Sequence, residues 1–216
     1  MTQPQRKQSP REERPRRPRA RARQRKFYRV EDYRSRGAAF SFQLENEKEF
    51  PHYFERISDL AETPRFLFDK AAARRPRDLA PFWYAWLVSD RTKAVFESVD
   101  PNGFEFAQCA MRVRKGTWDG PPYWLCKVVR VLDALDECRS RLNIGIDDDP
   151  RRRTFGQKYY EFSGRTELVF REDLVGDAHI FRMAYHDSWA ICDQELKNAC
   201  KSAGLKIYFA DVLKAL

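Results

Sequence analysis

Trp86-Leu-Val-Ser-Asp90 and Trp189-Ala-Ile-Cys-Asp193 share one local pattern, and the architecture follows from it. Each is a short apolar run ending on an acidic residue, followed by helical spacing, a glycine and a second apolar run. After the first, Ser89 and Asp90 form a helix-start signal ahead of Thr92–Val99, and Pro101-Asn102-Gly103 supplies turn chemistry before a long strand at Phe104–Val113. After the second, Gln194–Ala203 reads as a helix ended by Gly204, and Leu205–Ala210 as a strand. Trp-to-Asp spacing is four residues in both stretches, whereas Asp-to-Gly spacing is thirteen in one and eleven in the other. Either an internal duplication or the common strand, acidic N-cap, helix, glycine C-cap, strand solution produces such an echo. Both explanations give a strand–helix–strand unit used twice, near 86–113 and 189–210.

Working outward, aromatic content and alternation predict strands at Phe27–Tyr33 and Ala39–Leu44. Phe50, Phe54, Ile57 and Leu60 fall at helical spacing and predict a helix over Glu49–Ala61, with Pro51 in its first turn. Arg65–Phe68 reads as a short strand before an Arg/Pro-rich loop at 73–81. Tyr123–Val131 reads as a strand, followed by a turn or short helix through Leu142. Asp147–Arg153 reads as an exposed turn, with strands at Lys158–Phe162 and Glu167–Phe170. The expected fold is α+β: a single compact domain of mixed sheet, residues 27–216, with a few flanking helices.

Charge divides the chain differently from its pattern. Residues 1–26 hold nine arginines and two lysines against Glu12 and Glu13, a net of +9. That equals the net charge of the whole protein, so residues 27–216 sum to zero. The first segment has four prolines and no aromatic residue, and it reads as a disordered Arg-rich tail. Such an arm attracts nucleic acid or an anionic surface by counterion release, and without aromatics that attraction is unspecific. A solubilising extension explains the tail as well.

The five cysteines are odd in number and form no Cys-x-x-Cys pair. There is no apolar segment after the basic start and no run long enough for a membrane helix. Unpaired buried thiols in a reducing cytoplasm are expected.

Motifs for nucleotide binding, zinc hydrolysis or a nucleophilic serine are absent. Asp177, His179, Cys192 and Asp193 could cluster around a metal, but nothing in their spacing requires it, and no cofactor or metal is expected. The Asp147–Asp149 run lacks the alternation and the central glycine of a calcium loop. Asp133, Asp136 and Glu137 place three carboxylates within five residues. They read either as a paired acid/base site or as a turn whose acids cap amides and pair with arginines, and the second reading is preferred.

Several segments together resemble a known family. They are Leu87-Val-Ser-Asp90 with Phe96-Glu-Ser-Val-Asp100, Tyr123-Trp-Leu-Cys126, Arg130-Val-Leu-Asp-Ala-Leu-Asp-Glu137, Gly176-Asp-Ala-His-Ile-Phe-Arg182, Ile191-Cys-Asp193 and Ala203-Gly-Leu205. In order and spacing, over about residues 60–216, they resemble bacterial polymorphic-toxin immunity proteins. The resemblance implies a small cytosolic α+β protein that neutralises a toxin by direct binding. It supplies no catalytic residues. Its Asp-x-x-Asp-Glu and Gly-Asp-x-His-x-Phe-Arg stretches match Asp133, Asp136, Glu137, Gly176, Asp177, His179, Phe181 and Arg182. Asp133, Asp136, Glu137, Asp177, His179 and Arg182 are the candidate partner-binding residues. A non-catalytic toxin-binding protein is thus the leading expectation. The alternatives are a nucleic-acid- or anionic-surface-associated protein acting through its tail, and an enzyme using Asp133, Asp136 and Glu137.

Overall fold

The computed structural model describes residues 25–32, 41–50, 54–73, 75–152, 154–162 and 166–213. Its first half holds β1 (Phe27–Asp32), β2 (Phe42–Leu44), β3 (Arg65–Phe68), β4 (Leu79–Phe82), β5 (Ala85–Ser89), α1 (Asp90–Val99), β6 (Phe104–Val113) and β7 (Tyr123–Val128). The second half holds β8 (Val131–Leu132), β9 (Asn143–Ile146), β10 (Lys158–Glu161), α2 (Glu172–Val175), β11 (Ile180–Met183), β12 (His186–Asp193), α3 (Gln194–Ser202) and β13 (Ile207–Asp211). One sheet has the order β13-β1-β12-β11-β8 and the other β2-β3-β6-β7-β5-β4, while β9 and β10 form a separate hairpin. The fold is α+β, as the pattern predicts.

Both strand–helix–strand units are present, and both are split by a third strand. β5 and β6 each lie antiparallel to β7, so they run parallel with β7 between them. β12 and β13 likewise flank β1, antiparallel to both. The inserted strand follows the unit in the first case and precedes it in the second. The caps differ by one position relative to the tryptophans. Asp193 caps α3, its Oδ1 accepting the N–H groups of Glu195 at 3.1 Å and Leu196 at 3.0 Å. At α1 the cap is Ser89, whose hydroxyl turns instead to Thr92 Oγ1 and the Asp78 carboxylate.

α1 packs on α3, and the two units share one core. Phe96 and Phe104 stack within it at 4.6 Å between ring centres, with Leu196, Cys200 and Ile180 also buried there. The far face of each sheet has its own core, one around Phe170, Phe181 and Ile191 and one around Phe66, Leu87 and Leu125.

Asp100 ties the halves together. It follows the last residue of α1, lies in the buried layer and forms an ion pair with Arg130. The same carboxylate accepts the backbone N–H groups of His179 at 2.9 Å and Ile180 at 3.2 Å, at the entry to β11. Burial opposes its charge, but Arg130 and the two amides prevail and hold the carboxyl below its usual range. Gly103 sits against this junction, and a Cβ there would run into Ile180 Cγ2.

Several expected elements differ. No helix forms in the described part of 49–61, which holds only short 3₁₀ turns at Glu47–Glu49 and Ile57–Asp59. Side chains of the sheet take the backbone groups that a helix would use. The Ile57 N–H donates to Glu105 Oε2 at 2.7 Å, and the Phe54 carbonyl accepts the buried Lys127 ammonium. The 73–81 loop gives way at Leu79 to β4, which Pro81 joins because its ring faces an edge. The single strand expected over 123–131 ends at Val128, and Val131–Leu132 leaves to pair with β11 in the other sheet. β9 falls where no strand is predicted, and Glu167–Phe170 contributes isolated bridges rather than a strand. In the expected exposed turn at 147–153, Asp147 is buried and its Oδ1 accepts the Asp149 N–H. Tyr33, Ala39 and Arg153 lie outside the described residues.

Replacing Asp100 with Ala should cost about 3–5 kcal/mol in urea unfolding, because Arg130 and two buried amides lose their partner. With its folded pKa depressed, the Asp100 contribution is complete above the unfolded value near 4 and is lost as pH falls through the lower folded value. Wild-type stability should therefore fall more steeply than that of Asp100→Asn below about pH 4. Parallel slopes would contradict this.

Candidate functional site

The acidic turn does not assemble an acid/base pair. Asp133 is exposed and accepts the Tyr185 hydroxyl at a long 3.4 Å. Asp136 closes a turn, its Oδ1 accepting the Arg139 N–H at 3.1 Å. Glu137 accepts Lys158 Nζ at 2.5 Å and the Tyr160 hydroxyl at 2.6 Å. These two donors hold the Glu137 carboxyl below its usual range, and Glu137 in turn raises Lys158. Burial and the Glu137 charge push the Tyr160 phenol upward. Each carboxylate thus has a separate partner, and none shares a proton with another.

The 176–182 stretch divides by face. Gly176 takes φ +56° as it ends α2, and Asp177 beyond it is exposed. His179 Nδ1 lies 2.9 Å from Asp193 Oδ2, and Glu195 is near enough to complete a three-ligand cation group. Arg25 already occupies that position. Its guanidinium donates to Asp193 Oδ2 at 2.8 Å, to the Gly176 carbonyl at 2.6 Å and to the Ala178 carbonyl at 2.5 Å. With Asp193 Oδ1 committed to the α3 amides, a cation would have to displace this clamp. Arg25 falls inside the segment expected to be a disordered tail, yet it belongs to the folded body. Residues 1–24 of that tail lie outside the described residues, and the polyanion reading lies there with them.

Phe181 faces the outer core, and alternation returns Arg182 to the face that carries Ile180. That face looks across to Trp86, Cys126 and Val128 of the other sheet, so an arginine stands in a row of core positions. Between the sheets at this point is an open cleft of about 440 Å³. Arg182 and the Arg29–Glu31 ion pair supply its charge. Arg29 also lies over the Trp189 ring, 3.9 Å from its centre, and Phe162 stacks on the ring at 4.1 Å.

The rim of the cleft is the β4–β5 hairpin tip, Trp83 and Tyr84, both exposed. Trp83 has φ +48°, and among the described residues it is the only non-glycine with positive φ. Such a backbone strains a bulky residue, and strain of this kind collects where a side chain is presented for use. The tip was not readable in the sequence, because Phe82-Trp-Tyr-Ala85 carries none of the Gly or Asn that marks a tight hairpin. Arg182 did leave a signal, as the one charged residue in the apolar run Ile180-Phe-Arg-Met183.

The architecture defines an α+β protein with a basic, aromatic-rimmed cleft between two sheets. Residues 5–214 match the Immunity protein family (Imm11), and the chain belongs to that family. The match reaches well beyond the 60–216 span of the quoted motifs, into the arginine-rich segment. No curated protein matches the chain.

All five cysteines are free thiols. Burial pushes the Cys109 and Cys200 thiols up to about 12, and Cys126 and Cys192 well above their ordinary value. Cys138 is exposed. A maleimide at pH 7.5 should therefore add once to the folded protein and five times in denaturant, read by intact mass. Rapid labelling of Cys126 or Cys192 in the native state would contradict the buried core.

Proposed function

We propose that the protein neutralises a cognate bacterial toxin in the cytoplasm by direct protein–protein contact, without catalysis. The family match over residues 5–214 carries this reading. Two features are consistent with binding rather than turnover. The carboxylates of the acidic turn each serve a structural partner, and the exposed aromatics stand together at the mouth of the cleft. Residues 27–216 carry no net charge, so recognition depends on local pairing rather than on a long-range field.

The contact face we propose is the cleft mouth at the Arg182 end of β11. Trp83 and Tyr84 border it from the other sheet. Of the candidate contact residues, Arg182 belongs to this face, while Asp133, Asp136 and Glu137 lie in the acidic turn beside the outer core. Asp177 and His179 stand beside the Arg25 clamp, and of the two Asp177 is the exposed one. Exposed aromatic side chains over a partly buried arginine form the usual composition of an interface hot spot.

Co-expression with the toxin encoded beside this gene should rescue growth and yield a stoichiometric complex on size exclusion. Trp83→Ala and Tyr84→Ala should each weaken that complex by about 2 kcal/mol in calorimetry while changing unfolding stability by less than about 1.5 kcal/mol. If neither rescue nor a complex is obtained with any adjacent toxin candidate, the reading fails.

A further inference from the structure

We propose that the inter-sheet cleft is a carboxylate receptor, and that Arg182 holds an acidic side chain projected into it by the toxin. This deepens the toxin-binding reading and rests on it.

Arg182 is 7% exposed, and its Nε is fully covered without a hydrogen-bond partner. Among the described residues no carboxylate pairs with its guanidinium, although the backbone N–H is satisfied by the Arg130 carbonyl at 2.8 Å. A buried guanidinium lacking a counter-charge is costly, and a fold that gained nothing from it would favour an apolar residue here. The neighbouring positions on this face, Ile180 on the same strand and Ala190 on β12, are indeed apolar.

The other charges of the cleft do not correct the imbalance. Among the described lining residues Arg29 and Glu31 pair with each other, although Arg29 Nε and Glu31 Oε1 are also covered without a hydrogen-bond partner. The sum with Arg182 leaves one positive charge in excess. One excess guanidinium calls for one anionic group. The planar, bidentate geometry of arginine suits a carboxylate, and the apolar wall supplied by Trp86 and Val128 suits the methylenes behind it. A volume of about 440 Å³ between two sheets admits a side chain and its flanking backbone. A polyanion is disfavoured, because among the described lining residues the bases are Arg29 and Arg182 alone and Arg29 is already paired, so the cleft itself does not present the run of basic groups a polyanion needs.

The experiment compares wild type, Arg182→Met and Arg182→Lys in the full chain. In the free protein, Arg182→Met should melt at the same temperature or higher, because removing the arginine orphans no partner. Adding glutarate at constant ionic strength should raise the melting temperature of wild type but not of Arg182→Met. Toward the toxin, Arg182→Met should lose about thirtyfold or more in affinity, and Arg182→Lys should lose less. A toxin that binds wild type and Arg182→Met equally overturns the receptor and leaves toxin binding intact. A toxin that binds neither, alongside an Arg182-dependent glutarate shift, instead fails the toxin-binding reading and with it the assigned occupant. Marked destabilisation of both variants would show a structural arginine and overturn the proposal. So would a shift with adenosine monophosphate exceeding that with glutarate, which would assign the cleft to a nucleotide.

Discussion

A single buried carboxylate couples the two halves of this protein. Asp100 follows the helix of one split unit and receives the amides that open β11 in the other sheet, residues 79 and 80 positions further along the chain. Arg130 makes that burial tolerable by supplying the counter-charge, and it also donates to the Ile180 carbonyl at 3.0 Å, so donors and acceptors are satisfied together. The relative placement of the two sheets follows from this junction and from the packing of α1 on α3. The cleft exists because the sheets are fixed there and have no helix between them at the Arg182 end.

Much of the architecture was legible because it is local. Caps, a glycine at the end of α3 and apolar runs announced both strand–helix–strand units, and those units did form. What the local pattern could not show is that each unit admits a foreign strand between its two parallel ones. β7 and β1 read simply as apolar strands, and nothing in their own residues names the partners they separate. Their shared topology makes the two units look like copies, yet the caps lie three and four residues after their respective tryptophans.

The misreadings have a common physical cause, which is capture of backbone groups by distant side chains. Phe50, Phe54, Ile57 and Leu60 do face a core, as helical spacing suggests, but Lys127 and Glu105 bind the backbone there and hold it in an irregular path. Part of the candidate site was visible in the same way that the fold was. Arg182 interrupts an apolar strand and belongs to a recognisable motif, whereas the hairpin at Trp83 lacks turn residues and emerges only in three dimensions. The acidic turn shows the converse: three clustered carboxylates suggested chemistry, and each proved to be tied to a different donor.

The position of β1 has a consequence for how the protein is made. The sheet with six strands draws only on residues 42–128, so all its members leave the ribosome in one continuous stretch. The five-stranded sheet is different, because β1 is synthesised first among the elements yet lies between β12 and β13, which are synthesised last. Until residue 211 has emerged, β1 lacks at least one neighbour, and its apolar side chains have no finished layer to enter. The five-stranded sheet therefore stays half assembled while the residues up to 211 are made, and the cleft, which needs both sheets, is completed only after that.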